Sequence, residues 1–83
     1  MQDFDKTWFR SFEEKQQAAK KARTILKQAG MLESGIERFL KSDELIWTVC
    51  RDPERVLTWN DRFPDEPLNT PSGVHTLSYV LID

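Results

Sequence analysis

The sequence predicts an α+β domain: one long helix and one short helix packed on a three-stranded antiparallel sheet, in the order helix–helix–strand–strand–strand. Three observations predict it. Residues 11–29 are rich in Ala, Lys, Gln, Glu and Leu, all strong helix formers, and they stop at Gly30. Residues 44–60, ELIWTVCRDPERVLTWN, set two apolar runs, each with a tryptophan, on either side of Asp52-Pro53-Glu54, which reads as a β-hairpin with a polar turn. Residues 74–82 alternate in the manner of a third strand, after a stretch rich in proline.

The first ten residues form an aromatic arm or helix extension. Phe4, Trp8 and Phe12 are spaced i, i+4, i+8 and share one face if the arm is helical. Ser11-Phe12-Glu13-Glu14 fits a capping box, with Ser11 as N-cap and Glu14 three residues on. Within the helix that follows, Ala18, Ala22, Ile25 and Ala29 make a stripe of mostly small residues suited to close packing, flanked by Lys15, Lys20, Lys21, Arg23 and Lys27. Ser34-Gly35-Ile36-Glu37 is a second capping box, opening a short helix to about Ser42 with Ile36, Phe39 and Leu40 on its apolar side.

Alternation in the hairpin sets Leu45, Trp47 and Val49 against Ile46, Thr48 and Cys50, and pairs Leu57 and Trp59 on one face of the second strand. Residues 61–73 hold Pro64, Pro67 and Pro71 and read as an irregular loop. In the last strand His75, Leu77, Tyr79 and Leu81 fall on one face. The domain assignment is therefore a single unit over residues 1–83: an arm at 1–10, a helical part at 11–42 and a sheet at 44–83.

A chain of 83 residues has room for one core. At this length a stability of about 4–12 kcal/mol is expected, and a long cleft with a buried catalytic array would be a heavy demand on it. Formal charge is −2 overall but uneven: residues 1–29 carry seven basic and four acidic side chains, and residues 30–83 five basic and ten acidic. Such polarity can orient a charged partner. Cys50 is the only cysteine, so no internal disulfide framework exists, and its position suggests a small buried hydrophobe. The opening MQDFDKTW lacks the basic and apolar regions of a signal peptide, and no apolar run is long enough to span a membrane. A reducing, cytoplasmic setting is expected.

Little in the sequence carries specific chemistry. His75 is the only histidine and would have to serve any Ser-His-Asp or Cys-His system. Cys50 and His75 fall short of the four ligands of a structural zinc site. The glycines stand apart at 30, 35 and 73, so there is no phosphate-binding loop. No catalytic residue, cofactor or metal is expected. Residues 25–40, from Ile25-Leu26 through the Ala29-Gly30-Met31 turn to Ile36 and Phe39, resemble a helix-turn-helix, and a following hairpin would supply the wing of a winged variant. Two helices followed by three strands also resembles part of the small RelE/ParE-like toxin architecture, which would imply a ribonuclease. Glu33, Glu37, Asp43 and Glu44 weigh against phosphate contact in the first case, since only Arg38 and Lys41 offset them.

The expected function is non-enzymatic binding to another protein or ribonucleoprotein complex, as inhibitor, antitoxin or adaptor. Small anti-defence proteins of phage and mobile elements, the anti-CRISPR-like kind, belong to this class. Two contact surfaces are predicted: an acidic sheet rim of Asp52, Glu54, Asp61, Asp65 and Glu66, which would meet a basic partner, and an aromatic anchor at Phe4 and Trp8. An unpaired edge strand would also allow homodimers by sheet extension.

Overall fold

The computed structural model describes residues 8–82. Among them every regular element is a helix: α1 (Phe12–Gln28), α2 (Glu33–Phe39), α3 (Asp43–Arg51), α4 (Pro53–Leu57), α5 (Trp59–Arg62) and α6 (Pro71–Ile82). The predicted α+β class is thus corrected. The three segments expected as strands are α3, the α4–α5 pair and α6, and there is no antiparallel sheet among the described residues.

The first helix follows the sequence. The Ser11 hydroxyl accepts a hydrogen bond from the Glu14 amide (3.1 Å), and a Glu14 carboxylate oxygen accepts one from the Arg10 amide (2.8 Å). At the other end Gly30 takes φ +101°, a left-handed conformation that only glycine adopts without strain. This lets the Gly30 amide bond the Lys27 carbonyl and the Met31 amide bond the Leu26 carbonyl, both at 3.0 Å. The two bonds satisfy the last carbonyls of α1 as a Schellman motif, with Leu26 and Met31 both buried beside it. The second predicted capping box does not form. Leu32 is the N-cap of α2 without a side-chain bond, and Ser34 lies inside the helix.

α3 is a helix because burial outweighs strand propensity. Ile46, Thr48 and Val49 favour strands, but a β-branched residue in a helix costs at most about 0.7 kcal/mol relative to alanine. Burying an isoleucine or valine contributes roughly 1.5–3 kcal/mol, and the helix buries Leu45, Ile46 and Val49 together at i, i+1 and i+4. The ends agree: the Ser42 hydroxyl accepts from the Leu45 amide (3.3 Å), Asp43 and Glu44 sit in the first turn and Arg51 in the last. Asp52-Pro53 is a helix junction rather than a hairpin turn. Proline pushes the residue before it out of the helical region, here to φ −133°, ψ 66°, and then occupies the first position of α4.

The second and third expected strands fail for the same reason. Val56 and Trp59 are buried at i, i+3, whereas Leu57, predicted to share a face with Trp59, is exposed. In α6 the buried side chains are Val74, Leu77 and Leu81, at i, i+3, i+7, while His75 and Tyr79 face outward. Thr70-Pro71 starts this helix: the Thr70 hydroxyl accepts from the Gly73 amide (3.2 Å) and donates to the Pro67 carbonyl (2.8 Å). The proline-rich stretch is therefore irregular only between α5 and α6.

α3 is the central element, packed by α1, α4 and α6, while α2 bridges α1 and α6. The loop after α5 is tied in by two side chains. Trp59 Nε1 donates to the Glu66 carbonyl (2.8 Å). Asn60 donates from Nδ2 to the Ala29 carbonyl (2.9 Å) and accepts at Oδ1 from the Leu68 amide (2.9 Å), joining the end of α1 to this loop. Ion pairs brace the same frame from outside, Lys15 with Asp43 (2.9 Å) and Arg23 with Glu33 (2.8 Å).

Candidate functional site

The capping box of α1 fixes the backbone at Arg10 and Ser11, and Phe9 immediately before them is buried in the core. Trp8 is thereby set against α3, where its ring meets that of Trp47 at 5.2 Å between centroids with planes tilted by 55°. This is the offset, inclined arrangement that aromatic quadrupoles favour. One turn on, the Arg51 guanidinium carbon lies 5.0 Å from the centre of the Trp47 ring, within cation–π range. Trp8 and Trp47 are half-buried and Arg51 is exposed. Together with Glu14, Ala18 and Cys50 they line a concavity of about 340 Å³ between the start of α1 and the end of α3.

Cys50 at its floor is chemically quiet. Its thiol donates to the Ala18 carbonyl (3.2 Å). Burial pushes its pKa up, against the smaller opposing pull of the Lys21 charge and a backbone hydrogen bond at Ala22. A thiol shifted in that direction is mostly protonated at neutral pH and a poor nucleophile. His75 is exposed on α6 with its ring edge-on to Tyr79 (5.0 Å), whereas Cys50 is bonded to α1. Among the described residues no three His, Cys, Asp or Glu side chains gather as metal ligands would. None of the helices there is long and apolar enough to cross a membrane.

The five acidic residues expected on a sheet rim lie instead along α4, α5 and the loop beyond. Asp52 stands at the α3–α4 junction, 3.4 Å from Arg55, Glu54 and Asp61 are exposed on α4 and α5, and Asp65 and Glu66 follow in the loop. Arg55 and Arg62 are interleaved with them, so the band is mixed in charge. Of the aromatic anchor, Phe4 lies outside the described residues. Trp8 is in the cluster, while Phe12, predicted to share its face, is 65% exposed at the start of α1. Sequence reasoning missed Trp47 and Arg51. They are adjacent only at helical spacing, i to i+4, and the acidic first turn and basic last turn of residues 43–51 were the signals for it.

The corrected fold also removes three ideas that depended on strands. Residues 44–60 cannot be the wing of a winged helix, the strands of the toxin resemblance are absent among the described residues, and no edge strand is present there to extend into a dimer. Comparison with family models, with curated proteins and with solved structures finds no match for this chain.

Proposed function

We propose that the chain is a non-enzymatic binding module whose target is another protein, acting as an inhibitor, antitoxin or adaptor does, and that it binds through the Trp8–Trp47–Arg51 face. The observation that supports this reading is the pair of half-buried tryptophans beneath an exposed arginine, at the edge of a concavity. Tryptophan and arginine dominate interface energetics because each offers a large contact area together with a hydrogen-bond donor. Stacking on Trp47 holds the guanidinium in place before a partner arrives, which lowers the ordering cost of binding. A protein fits this face better than a nucleic acid. Glu14 lines the same concavity, and Glu44 stands one turn before Trp47 in the first turn of α3, carboxylates that repel phosphates.

The test is capture by the immobilised full chain from lysate of its native host, after nuclease treatment and at moderate salt. Arg51→Glu, an exposed position whose substitution should leave the circular dichroism spectrum intact, is expected to weaken capture of the retained protein by at least about tenfold. The triple variant Asp61→Lys, Asp65→Lys, Glu66→Lys is expected to retain it. Undiminished capture by Arg51→Glu removes the proposed face, and loss restricted to the triple variant transfers the contact to the acidic band. Material released by nuclease contradicts the protein-binding reading itself.

A further inference from the structure

We infer that the groove between α2 and α6 binds the C-terminal residue of a polypeptide, with its carboxylate on Arg38 and its aliphatic side chain against Leu32 and Pro71. The groove is about 250 Å³ and shares no lining residue with the Trp8–Trp47 concavity. Both of its walls are fixed by the fold. On the loop side the Leu68 amide donates to Asn60 Oδ1 (2.9 Å). The Thr70 hydroxyl donates to the Pro67 carbonyl (2.8 Å) and accepts from the Gly73 amide (3.2 Å). On the helix side Gly35 lets α2 lie close to α6, since a methyl there would stand 3.1 Å from Val74 Cγ2. Walls held in this way are in place before a ligand arrives, which lowers the ordering cost of binding.

Charge and size select the occupant. Arg38 is the only charged residue that lines the groove, and among the described residues no carboxylate lies within ion-pair distance of it. Ser34, one turn before it on α2, and Asn69 on the loop wall add two polar side chains that can donate hydrogen bonds. A single guanidinium matches a single carboxylate, which it can grip through two parallel N–H···O bonds. A phosphate, at about −1.5 to −2, would be left half compensated beside an apolar wall. That wall is aliphatic: Leu32 and Pro71 are exposed along it, backed from the core by Leu68 and Val74. At about 250 Å³ the groove falls below the roughly 300–1,000 Å³ of sites that enclose a small molecule. It suits a ligand that seats one residue and continues into solvent. The end of a polypeptide is such a ligand, and only there does the backbone itself present a carboxylate, on the same carbon as a side chain.

Titration of the isotope-labelled full chain with an acetylated pentapeptide ending in leucine, followed by amide NMR shifts, tests this directly. Saturable shifts at Ser34, Gly35, Arg38, Asn69 and Thr70 are expected, with a Kd of about 1 mM or tighter. Amidating the C-terminus of the peptide should weaken binding by at least about tenfold, because the guanidinium loses its charged partner. Arg38→Leu, at an exposed position, should do the same, while Arg62→Leu, an exposed cation outside the groove, should bind as wild type does. No saturable shift up to several millimolar overturns the proposal, as does equal affinity for the amidated peptide. Isovalerate binding as tightly as the peptide would reassign the groove to free acids and equally overturn it. Shifts confined to Trp8, Trp47 and Arg51 would overturn it by seating the peptide on the other face, whereas an empty groove leaves the reading of that face untouched.

Discussion

Trp59→Ala should lower stability by about 4 kcal/mol, within the range for deleting a buried tryptophan. Trp59 is 1% exposed, its ring lies 4.2 Å from that of Phe63 between centroids, and its indole N–H satisfies the Glu66 carbonyl. Truncation leaves a cavity beside α4 and α5 and strips that carbonyl of its partner, so transfer, cavity and hydrogen-bond costs fall together. Against a total of about 4–12 kcal/mol the variant sits near the limit of folding. Trp59→Phe therefore accompanies it, keeping much of the packing without the donor and costing about 1–2 kcal/mol. Urea denaturation reads both as shifts in midpoint at unchanged slope. A loss below about 1 kcal/mol for Trp59→Ala would mean that the indole is not in the core.

Gly73→Ala should destabilise by about 3 kcal/mol, although helix propensity alone predicts the opposite sign. Alanine inside a helix is better than glycine by roughly 0.5–1 kcal/mol. Here the added methyl would sit 2.1 Å from the Pro67 carbonyl oxygen and 2.5 Å from that of Glu66. Both are backbone atoms of the loop that Trp59 and Thr70 hold, so neither can rotate aside, and relief requires moving α6 from the loop. Gly35 is the control. A methyl there meets Met31 Cγ and Val74 Cγ2 at 3.1 Å, side-chain atoms able to give way, and Gly35→Ala should stay within about 1 kcal/mol of wild type. Thermal unfolding of the two variants side by side separates them. Equal effects would show that α6 does not approach the loop as closely as described.

The two glycine positions illustrate how unevenly the fold is legible in the sequence. The ends of α1 are written in local terms, a hydroxyl three residues from a carboxylate and a glycine after the last turn, and both are found in place. The half beyond Ser42 is written in tertiary terms. Ile46, Thr48 and Val49 have strand preferences worth a few tenths of a kilocalorie each, and packing against α1 and α6 outweighs them. Alternation in VHTLSYVLI fits a period of two as readily as i, i+3, i+7, and a short apolar run does not decide between them. Two signals did favour helix, Pro53 and Pro71 each directly after a residue suited to precede a helix, Asp52 and Thr70. The same prolines are also turn formers, which is why the sequence alone suggests a hairpin and a loop there.

The candidate site shared that fate. Trp8 stood out as an aromatic near the start of the chain, but its partners Trp47 and Arg51 come together only once residues 43–51 wind as a helix. The acidic residues form a group in the sequence, where they are close together. In space they share their surface with Arg55 and Arg62, which dilutes the field a basic partner would sense.

Position-specific photo-crosslinking bears most directly on the central claim, that the Trp8–Trp47–Arg51 face binds a protein. A benzophenone side chain placed at Gln17, exposed on α1 beside Ala18 of the concavity, in one chain and at Asp61 in another, each irradiated in lysate of the native host after nuclease, reports which surface is covered. One discrete protein adduct from position 17 and none from position 61 is the expected result. Adducts from position 61 alone, or from neither position, would contradict it.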